Sequence, residues 1–435
     1  MMVRKGLVTA AAAVLALGSA AWADDSNAVS AQSATDAKQV TSALVATHTG
    51  GQPIMADDAA ATPAPLMNGL GKTPIGKPLN DAGLNVYGYV EGGYMYDFTV
   101  PRDVSPPKTA PSNGILFIGP YKNSPKLDQV DLTIERLVDP TKGKFDVGGR
   151  IEGIFGTDAT FVHSNGILDN SVKHGAGGFS QLDLEQAYIT VAIPTSNGQG
   201  LLLKAGKFVT LMGYESINPT ANPLFTHAYS FSYAIPFTQT GVLAQYIFNS
   251  NLNVIGGFTR GWNQSTLDNN GAIDFLGQVN YTINDKWSIT GNLSVGPEAT
   301  KDNGDYWFVP EGILTYKMSD QLTLTADTVY GFANALAQWY GVAAYANYKL
   351  NNMFAFNGRG EYYHDGKGFT TGFGGTDLNF YEVTAGVAIT PLPDNEWFKT
   401  LTIRPEVRYD WAEHGVFDTG KFSQLTAAVD AYWQF

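Results

Sequence analysis

Charged side chains recur at every second position in a segment near the end of the chain. In residues 401–411, Arg404, Glu406, Arg408 and Asp410 stand between apolar residues. Successive side chains of a β-strand point to opposite faces, so this segment predicts a strand with one apolar and one charged face. Charges fixed along one wall attract or repel ions and orient dipolar solutes, and this chemistry needs no bond to form or break.

The same alternation predicts a set of charged residues that share the polar faces of several strands and would line a pore. They are Arg150, Glu152, Glu311, Asp327, Arg359, Glu361, Glu382, Arg404, Glu406, Arg408, Asp410 and Asp430. Acidic groups outnumber basic groups here, and a wall of like charge attracts counter-ions and repels co-ions. We therefore expect a mild preference for cations and neutral solutes.

Arg404 and Arg408 have two interpretations. They share a face with Glu382 of the preceding predicted strand and Asp430 of the following one. Opposed charges at a constriction would set up a transverse field that orients dipolar solutes. Alternatively, the charges pair on the wall and only hold its shape. The sequence gives the two interpretations about equal weight.

A segment of nearly 30 residues, 212–240, interrupts the alternating pattern with three prolines and several aromatic residues. Loops of this length without strand pattern are usually functional or disordered, and the apolar content argues against a freely solvated loop. We expect it to fold inward and narrow the pore. The constriction candidates are Tyr214, Glu215, Asn218, Asn222, Phe225 and Tyr229. A surface cap or a subunit contact is the alternative.

Aromatic residues also lie on the predicted polar faces, namely Trp307, Trp339, Tyr345, Tyr363 and Tyr432. Aromatic rings can stack on sugar rings, and this chemistry would suit a pore for sugars. More often such residues fill space in a wall, and that is the favoured interpretation.

Composition excludes several other kinds of site. The chain has no cysteine, which excludes disulfides, cysteine-ligated metals and thiol catalysis. Its net charge of −13 argues against binding to nucleic acid. The six histidines show no ligand spacing, and no common catalytic motif is present. We expect no enzyme activity, no cofactor and no metal, although a hydrolase with residues scattered over strands stays open.

Sixteen predicted strands must position these side chains. They span residues 84–98, 127–138, 144–156, 181–193, 200–211, 241–249, 252–262, 272–283, 287–296, 306–317, 322–331, 337–350, 353–363, 379–390, 398–411 and 422–435. Nearly all reach the roughly 9–11 residues that a tilted strand needs to cross a membrane. Short turns alternate with longer polar loops, as in outer-membrane barrels.

The predicted fold is therefore all-β, a transmembrane antiparallel up-and-down β-barrel with short periplasmic turns and long extracellular loops. About 16 strands are expected, and fourteen or eighteen are the alternatives. In residues 181–211 the apolar positions do not keep one parity, which predicts a bulge or a register slip. A soluble all-β sandwich or solenoid is the alternative fold, but Tyr and Trp at the ends of the apolar faces favour a membrane barrel.

The N-terminal region predicts export. A positive start, an apolar run and a small-residue cleavage site make residues 1–23 a predicted Sec-type signal peptide. Residues 24–82 are rich in Ala, Ser, Thr and Pro and predict a low-complexity flexible segment. Residues 83–435 would form the barrel. We expect the processed protein in the bacterial outer membrane.

The last six residues, Asp-Ala-Tyr-Trp-Gln-Phe, resemble the final strand of bacterial outer-membrane proteins. In those proteins the barrel-assembly machinery reads an aromatic residue at the position of Phe435. A second set of motifs is Gly206-Lys207-Phe208, Gly213-Tyr214-Glu215, Asn218, Asn222, Pro236 and Thr240-Gly241-Val242. Together with the strands of residues 84–435, these motifs resemble the OmpL-like family of β-barrel porins.

The resemblance implies an outer-membrane porin without catalytic residues, and homotrimers are common among such porins. We expect a water-filled channel for passive diffusion of small hydrophilic solutes. Its partners would be outer-membrane lipid, the assembly machinery and those solutes. The alternative is a plugged or structural barrel that acts as adhesin, scaffold or surface enzyme without general pore activity.

Overall fold

The computed structural model describes residues 65–99, 123, 125–169, 180–195, 199–334, 336–417 and 420–435. The predicted signal peptide and residues 24–64 of the predicted flexible segment lie outside the described residues. The division of the chain between these segments therefore stays a prediction.

The alternating segments form the strands of one sheet. They are β1 (Leu84–Tyr87), β2 (Tyr89–Asp97), β3 (Lys126–Arg136), β4 (Asp146–Gly156), β5 (Gln181–Pro194), β6 (Gly200–Val209), β7 (Thr238–Ile247), β8 (Leu252–Thr259), β9 (Asp274–Thr282), β10 (Trp287–Pro297), β11 (Tyr306–Lys317), β12 (Leu322–Ala333), β13 (Ala337–Lys349), β14 (Phe354–Asp365), β15 (Leu378–Ile389), β16 (Thr402–Ala412) and β17 (Ser423–Gln434). Only Gly88 separates β1 from β2, so these two form one wall strand. The described residues thus contain the sixteen wall strands that the sequence predicts.

The sheet closes on itself. Each strand from β2 to β17 pairs antiparallel with the next one, and β17 returns to pair with β2. In this last pairing Val429 lies opposite Tyr94, and Asp430 lies opposite Gly93. A closed barrel leaves no sheet edge, which is what allows strands to cross a hydrocarbon layer.

Gly88 interrupts the first wall strand because another backbone passes too close for a side chain. A Cβ atom at this position would lie 2.2 Å from the carbonyl oxygen of Asp131. The Gly88 N–H donates to the Phe435 carbonyl at 3.1 Å, and the Phe435 N–H donates back at 2.8 Å. The absence of a side chain at Gly88 therefore lets β3 approach closely. The two hydrogen bonds with Phe435 extend the pairing between the first and last strands of the barrel.

The two faces of the wall separate as the period of two predicts. On β16, Val407 and Tyr409 are 52% and 44% exposed, whereas Arg408 and Asp410 are 1% and 0% exposed. The apolar face points outward and the charged face points into the barrel. This arrangement suits a barrel surrounded by lipid.

The irregularity predicted in residues 181–211 is a β-bulge in β5. The register between β4 and β5 shifts after Glu152, which lies opposite Gln186, and Glu185 is the extra residue. A similar shift between β2 and β3 leaves Asp128 as the extra residue. Asp128 and Glu185 are buried, and so are the residues that follow them, Gln129 and Gln186. Each bulge therefore turns two successive side chains toward the inside of the barrel.

Short turns and longer loops alternate around part of the barrel. Four-residue turns at 248–251, 283–286, 318–321 and 350–353 lie at one end, which we call the turn end. Loops such as 260–273 lie at the other end, the long-loop end. The predicted alternation is confirmed at these positions.

Short helices lie beside the wall. They are α1 (Pro65–Leu70), α2 (Gly76–Ala82) and α3 (Ala159–Val162). The first two lie in the last part of the predicted flexible segment. Between them, Lys72 forms an ion pair with Glu396 at 3.6 Å. None of the helices in the described residues has the length and apolar character needed to cross a membrane.

Candidate functional site

Residues 210–237 connect β6 to β7 and turn into the barrel, and we call them the inner loop. A backbone hydrogen bond from Thr210 to Phe237 closes its neck at 2.9 Å. Gly213 has a φ of 96°, in the left-handed region that favours glycine, and allows the chain to turn inward.

Two short helical turns shape the inner loop. A 3₁₀ turn at Pro219–Ala221 is capped by the Asn218 side chain, which accepts from the Thr220 N–H at 2.9 Å. A π-helical turn follows at Ser230–Ala234. Asn222 braces the loop because its side-chain oxygen accepts from the Ser216 N–H at 2.8 Å.

Four carboxylates of the barrel wall accept backbone N–H groups of the inner loop. The bonds run from Gly213 to Glu311 (3.0 and 2.9 Å), from Tyr214 to Asp327 (3.2 Å), from Phe225 and Thr226 to Glu406 (2.8 and 3.2 Å), and from Tyr229 and Ser230 to Glu361 (2.5 and 2.7 Å). Buried backbone donors need partners, and here wall side chains replace water or a neighbouring strand.

Three arginines of the wall donate to carbonyl groups of the same loop. They are Arg359 to Thr226 (2.6 Å), Arg404 to Pro219 (2.9 Å) and Asn222 (2.6 Å), and Arg408 to His227 (2.6 Å). Hydrogen bonds from charged groups are stronger than neutral ones. The inner loop is therefore fixed to the wall through donors and acceptors along much of its length.

Glu215 is the charged centre of the inner loop. Its carboxylate lies 2.7 Å from Arg359 and 2.9 Å from His227, and accepts from the Tyr345 hydroxyl at 3.0 Å. Burial opposes its ionisation, but Arg359 and His227 outweigh burial and lower the pKa of Glu215 to about 2. This side chain is therefore ionised at neutral pH.

The wall arginines are also paired with wall carboxylates. Arg404 lies 2.6 Å from Asp430, and Arg359 lies 2.6 Å from Glu382. Arg408 lies 2.8 Å from Asp410. Charges paired at these distances on the wall favour the second interpretation of Arg404 and Arg408, in which the pairs hold its shape.

All twelve predicted pore-lining residues have buried side chains on the inner face of the wall. Eight of them form hydrogen bonds directly with the inner loop: Glu311, Asp327, Arg359, Glu361, Arg404, Glu406, Arg408 and Asp410. Arg150 and Glu152 form a separate group, in which Arg150 pairs with Glu135 at 2.9 Å. Their action on a solute stays a prediction.

The six constriction candidates lie in the inner loop, inside the barrel. Tyr229 donates its hydroxyl proton to Asp410 at 2.5 Å, and Tyr214 accepts from the Asn347 amide at 3.0 Å. Phe225 packs against the buried Met95. Asn218 and Asn222 act within the loop itself. Folding of the loop into the interior is therefore seen, while narrowing of a pore stays a prediction.

Apolar residues on the inner face were missed by the sequence analysis. Leu243, Leu276 and Ile313 are buried there in one cluster with Phe231 and Ile235 of the inner loop. Strand alternation identifies two faces but cannot show that part of the inner face is also apolar. The apolar character of the inner loop was the signal that a complementary surface had to exist.

Other missed residues are polar and hold the inner loop. Gln129 and Gln278 donate to the carbonyl groups of Ile217 and Leu211, both at 2.9 Å. His227 pairs with Glu215 and stacks on Phe231 with ring centroids 4.5 Å apart. The two glutamines are uncharged and so lie outside the charge pattern, and His227 lies in the loop, where strand alternation assigns no face.

The aromatic residues of the predicted polar faces mostly fill space. Trp339 donates to the Ala234 carbonyl at 3.2 Å, Tyr345 bonds Glu215, and Tyr363 is fully buried. Trp307 differs because it is only partly buried and lies at the long-loop end. The described residues contain no cluster of histidine and acidic side chains that could hold a metal ion.

Comparison with known proteins places the chain in a family. Residues 83–435 match the family described as "Putative beta-barrel porin-2, OmpL-like". The chain belongs to this family. No curated protein matches the chain significantly.

Solved porins share the fold. OmpF of Salmonella typhi, in a complex with daunomycin, is 14% identical, with a TM-score of 0.52 over 82% of this chain and 99% of that chain. OprB of Pseudomonas putida at high pH is 12% identical, with a TM-score of 0.51 over 83% and 96%. At these identities the likeness shows the barrel architecture alone, and this family member therefore has a porin-like outer-membrane barrel.

Proposed function

We propose that this protein is an outer-membrane porin through which small hydrophilic solutes diffuse passively along a narrow aqueous path. The observation that carries the proposal is a closed sixteen-strand wall with an apolar outer face and a charged inner face. Barrels of about 16–18 strands are wide enough to leave an aqueous channel, whereas eight strands fill with side chains.

The inner loop would set the width of that path. It crosses the interior from β6 and β7 to β14 and β16, where it meets Glu361 and Glu406. A loop bound on both sides of the lumen reduces the free cross-section. We therefore propose slow, size-limited diffusion instead of a wide pore.

A mild preference for cations and neutral solutes would follow from the inner wall. The twelve predicted pore-lining residues comprise eight carboxylates and four arginines. Many of these carboxylates are paired with arginines. Only the negative charge that the arginines do not neutralise would therefore act on ions. A small selectivity is the expected result.

A plugged barrel is the second candidate, and burial favours it. All twelve predicted pore-lining side chains are at most 7% exposed, so little of this part of the inner wall is open to water. Such a barrel would act as adhesin, scaffold or surface enzyme. The barrel would be plugged in this way only if the inner loop never leaves the wall.

Planar-bilayer recording of the purified, refolded chain separates the two candidates. A porin gives repeated conductance steps, and reversal potentials in a salt gradient report its selectivity. A plugged barrel that inserts normally gives no steps and admits no small sugars into proteoliposomes. Preference for anions would contradict only the proposed selectivity.

Export and assembly complete the proposal. Cleavage after residue 23 would release the mature chain, and the strand that ends at Phe435 would be read by the barrel-assembly machinery. The apolar outer face would contact outer-membrane lipid, and homotrimer formation is proposed from the porins that the sequence resembles. Mass spectrometry of the mature N terminus and native mass measurements test these points.

A further inference from the structure

A cavity lies at the long-loop end, outside the inner loop. It has a volume of about 340 Å³, and we call it the outer pocket. Its lining includes Asn165, Trp262, Gln264, Asn269, Glu298 and Trp307. Pockets that bind small molecules commonly fall between about 300 and 1,000 Å³.

The outer pocket is held by segments that are distant in sequence. The backbone of Asn165 pairs with the loop after β8, through Asn263 and Ser265 at 2.9 Å each. The Asn165 amide donates to Gln264 at 3.2 Å. The Asn263 side chain accepts from the N–H groups of the last inner-loop residue and of the first residue of β7, at 2.9 and 3.1 Å. The lining is therefore fixed before any ligand arrives, which lowers the entropic cost of binding.

Two tryptophans form adjoining apolar surfaces of the pocket. Trp262 and Trp307 meet edge to face, with ring centroids 5.2 Å apart and planes at 82°. The Trp262 indole N–H donates to Ser294 at 3.0 Å, and Trp307 packs edge to face on Trp339 at 5.4 Å. Both rings are held in place and both are only partly buried. Fixed aromatic faces suit the apolar C–H face of a sugar ring.

Polar groups stand beside these rings. The Asn269 amide nitrogen donates to the Glu298 carbonyl at 2.8 Å, which fixes the orientation of the amide. The Asn269 side-chain oxygen is buried and accepts no hydrogen bond from the described residues. An acceptor left open beside two aromatic rings is suited to a ligand hydroxyl group.

The charges around the pocket argue against an ionic ligand. The Glu298 carboxyl accepts the Trp262 N–H at 3.0 Å, and burial together with Asp274 raises the pKa of Glu298, which weakens its negative charge. His163 is already bound by Asp183 at 2.9 Å and Asp169 at 2.8 Å. Neither an anion nor a cation finds an unpaired counter-charge among the lining residues described.

We propose that the outer pocket binds a neutral sugar of one or two rings, with a ring stacked on the open face of Trp262, its edge against Trp307, and a hydroxyl group donating to Asn269. Binding itself does not depend on a pore. The role of the bound sugar as a solute about to enter the barrel rests on the proposed porin function.

Titration of the full chain in detergent tests the proposal. Glucose, maltose and sucrose are the neutral probes, and sodium phosphate and choline chloride are the charged comparators. We expect saturable quenching of tryptophan fluorescence by at least one sugar and none by the comparators. Replacing Trp262 with alanine should weaken binding by about tenfold or more.

Trp287→Ala is the matched control because Trp287 lies on the outer face near the turn end. It should leave the sugar affinity unchanged. Asn269→Leu, which keeps the size and removes the acceptor, should weaken binding severalfold. This variant keeps the test valid if Trp262→Ala does not fold.

Specific outcomes would overturn the proposal. They are the absence of saturable sugar binding in a folded chain, binding of phosphate or choline instead, or equal loss of affinity in Trp262→Ala and Trp287→Ala. The bilayer recording is read separately. Conductance without sugar binding rejects the pocket alone, and sugar binding without conductance rejects the porin function alone.

Discussion

The guanidinium group of Arg359 lies 2.7 Å from the carboxylate of Glu215 and joins β14 to the inner loop. Both side chains are buried, and Arg359 also lies 2.6 Å from Glu382. Arg359 therefore connects a carboxylate of the wall to a carboxylate of the loop. The position of the inner loop depends on this pair more than on any exposed contact.

Glu215→Gln should loosen the inner loop and raise single-channel conductance. Removing one partner of a buried ion pair typically costs about 3–5 kcal/mol, so the thermal transition should also fall. Glu396→Gln is the control because Glu396 is exposed and its ion pair with Lys72 is long, at 3.6 Å. Equal conductance in Glu215→Gln and the unaltered chain would show that this pair does not hold the loop.

Acid should weaken the same anchor only at low pH. The pKa of Glu215 is lowered from 4.5 to about 2, so its stabilising effect is complete above its ordinary pKa and is lost as pH falls toward 2. We expect conductance insensitive to this group from pH 7 to about 5 and a rise below about 4. Arg359, His227 and Tyr345 face Glu215 and should be replaced in turn.

The unaltered protein and Glu215→Gln should differ in that experiment. A conductance rise that is centred near pH 6, or one of the same size in Glu215→Gln, would assign the acid response to another group. Recordings at constant ionic strength give the comparison.

Deleting residues 218–232 should raise conductance because this part of the inner loop occupies the lumen. A deletion of residues 370–376, in a loop at the long-loop end, is the control and should have little effect. Planar-bilayer recording measures both. An unchanged conductance in the first deletion, with normal insertion, would reject a constriction by the inner loop.

Asp327→Asn should reduce the preference for cations. Asp327 accepts the Tyr214 N–H through one oxygen, and its other oxygen has no hydrogen-bond partner in the described part of the chain. The amide keeps the shape and removes the charge. Asp320→Asn is the control because Asp320 is fully exposed at the turn end. Identical reversal potentials in all three proteins would remove Asp327 from the selectivity mechanism.

The strands of the wall were predictable from sequence because each one is defined by a pattern of neighbouring residues. In β16 the alternation of Val407 and Tyr409 with Arg408 and Asp410 defines the strand and both faces within a few residues. The bulge at Glu185 was also visible as a break in parity. The same local pattern could not show which of the inward-facing side chains contact one another.

The inner loop could be predicted only in outline. Its contacts join residues far apart, such as the Phe225 N–H and Glu406, which are separated by 181 positions. No period in the sequence encodes such a pair. The outer pocket was missed for the same reason, because Asn165 and Gln264 meet across 99 positions of sequence.

The seam between β2 and β17 also constrains how the protein is made. The Leu425 N–H donates to the Thr99 hydroxyl at 3.1 Å across 326 positions of sequence. Contacts of such high separation form slowly and late. Until they form, the first and last strands are open edges that can pair with other chains. We therefore expect the rate at which the barrel closes, more than its native stability, to limit how much folded protein a cell obtains.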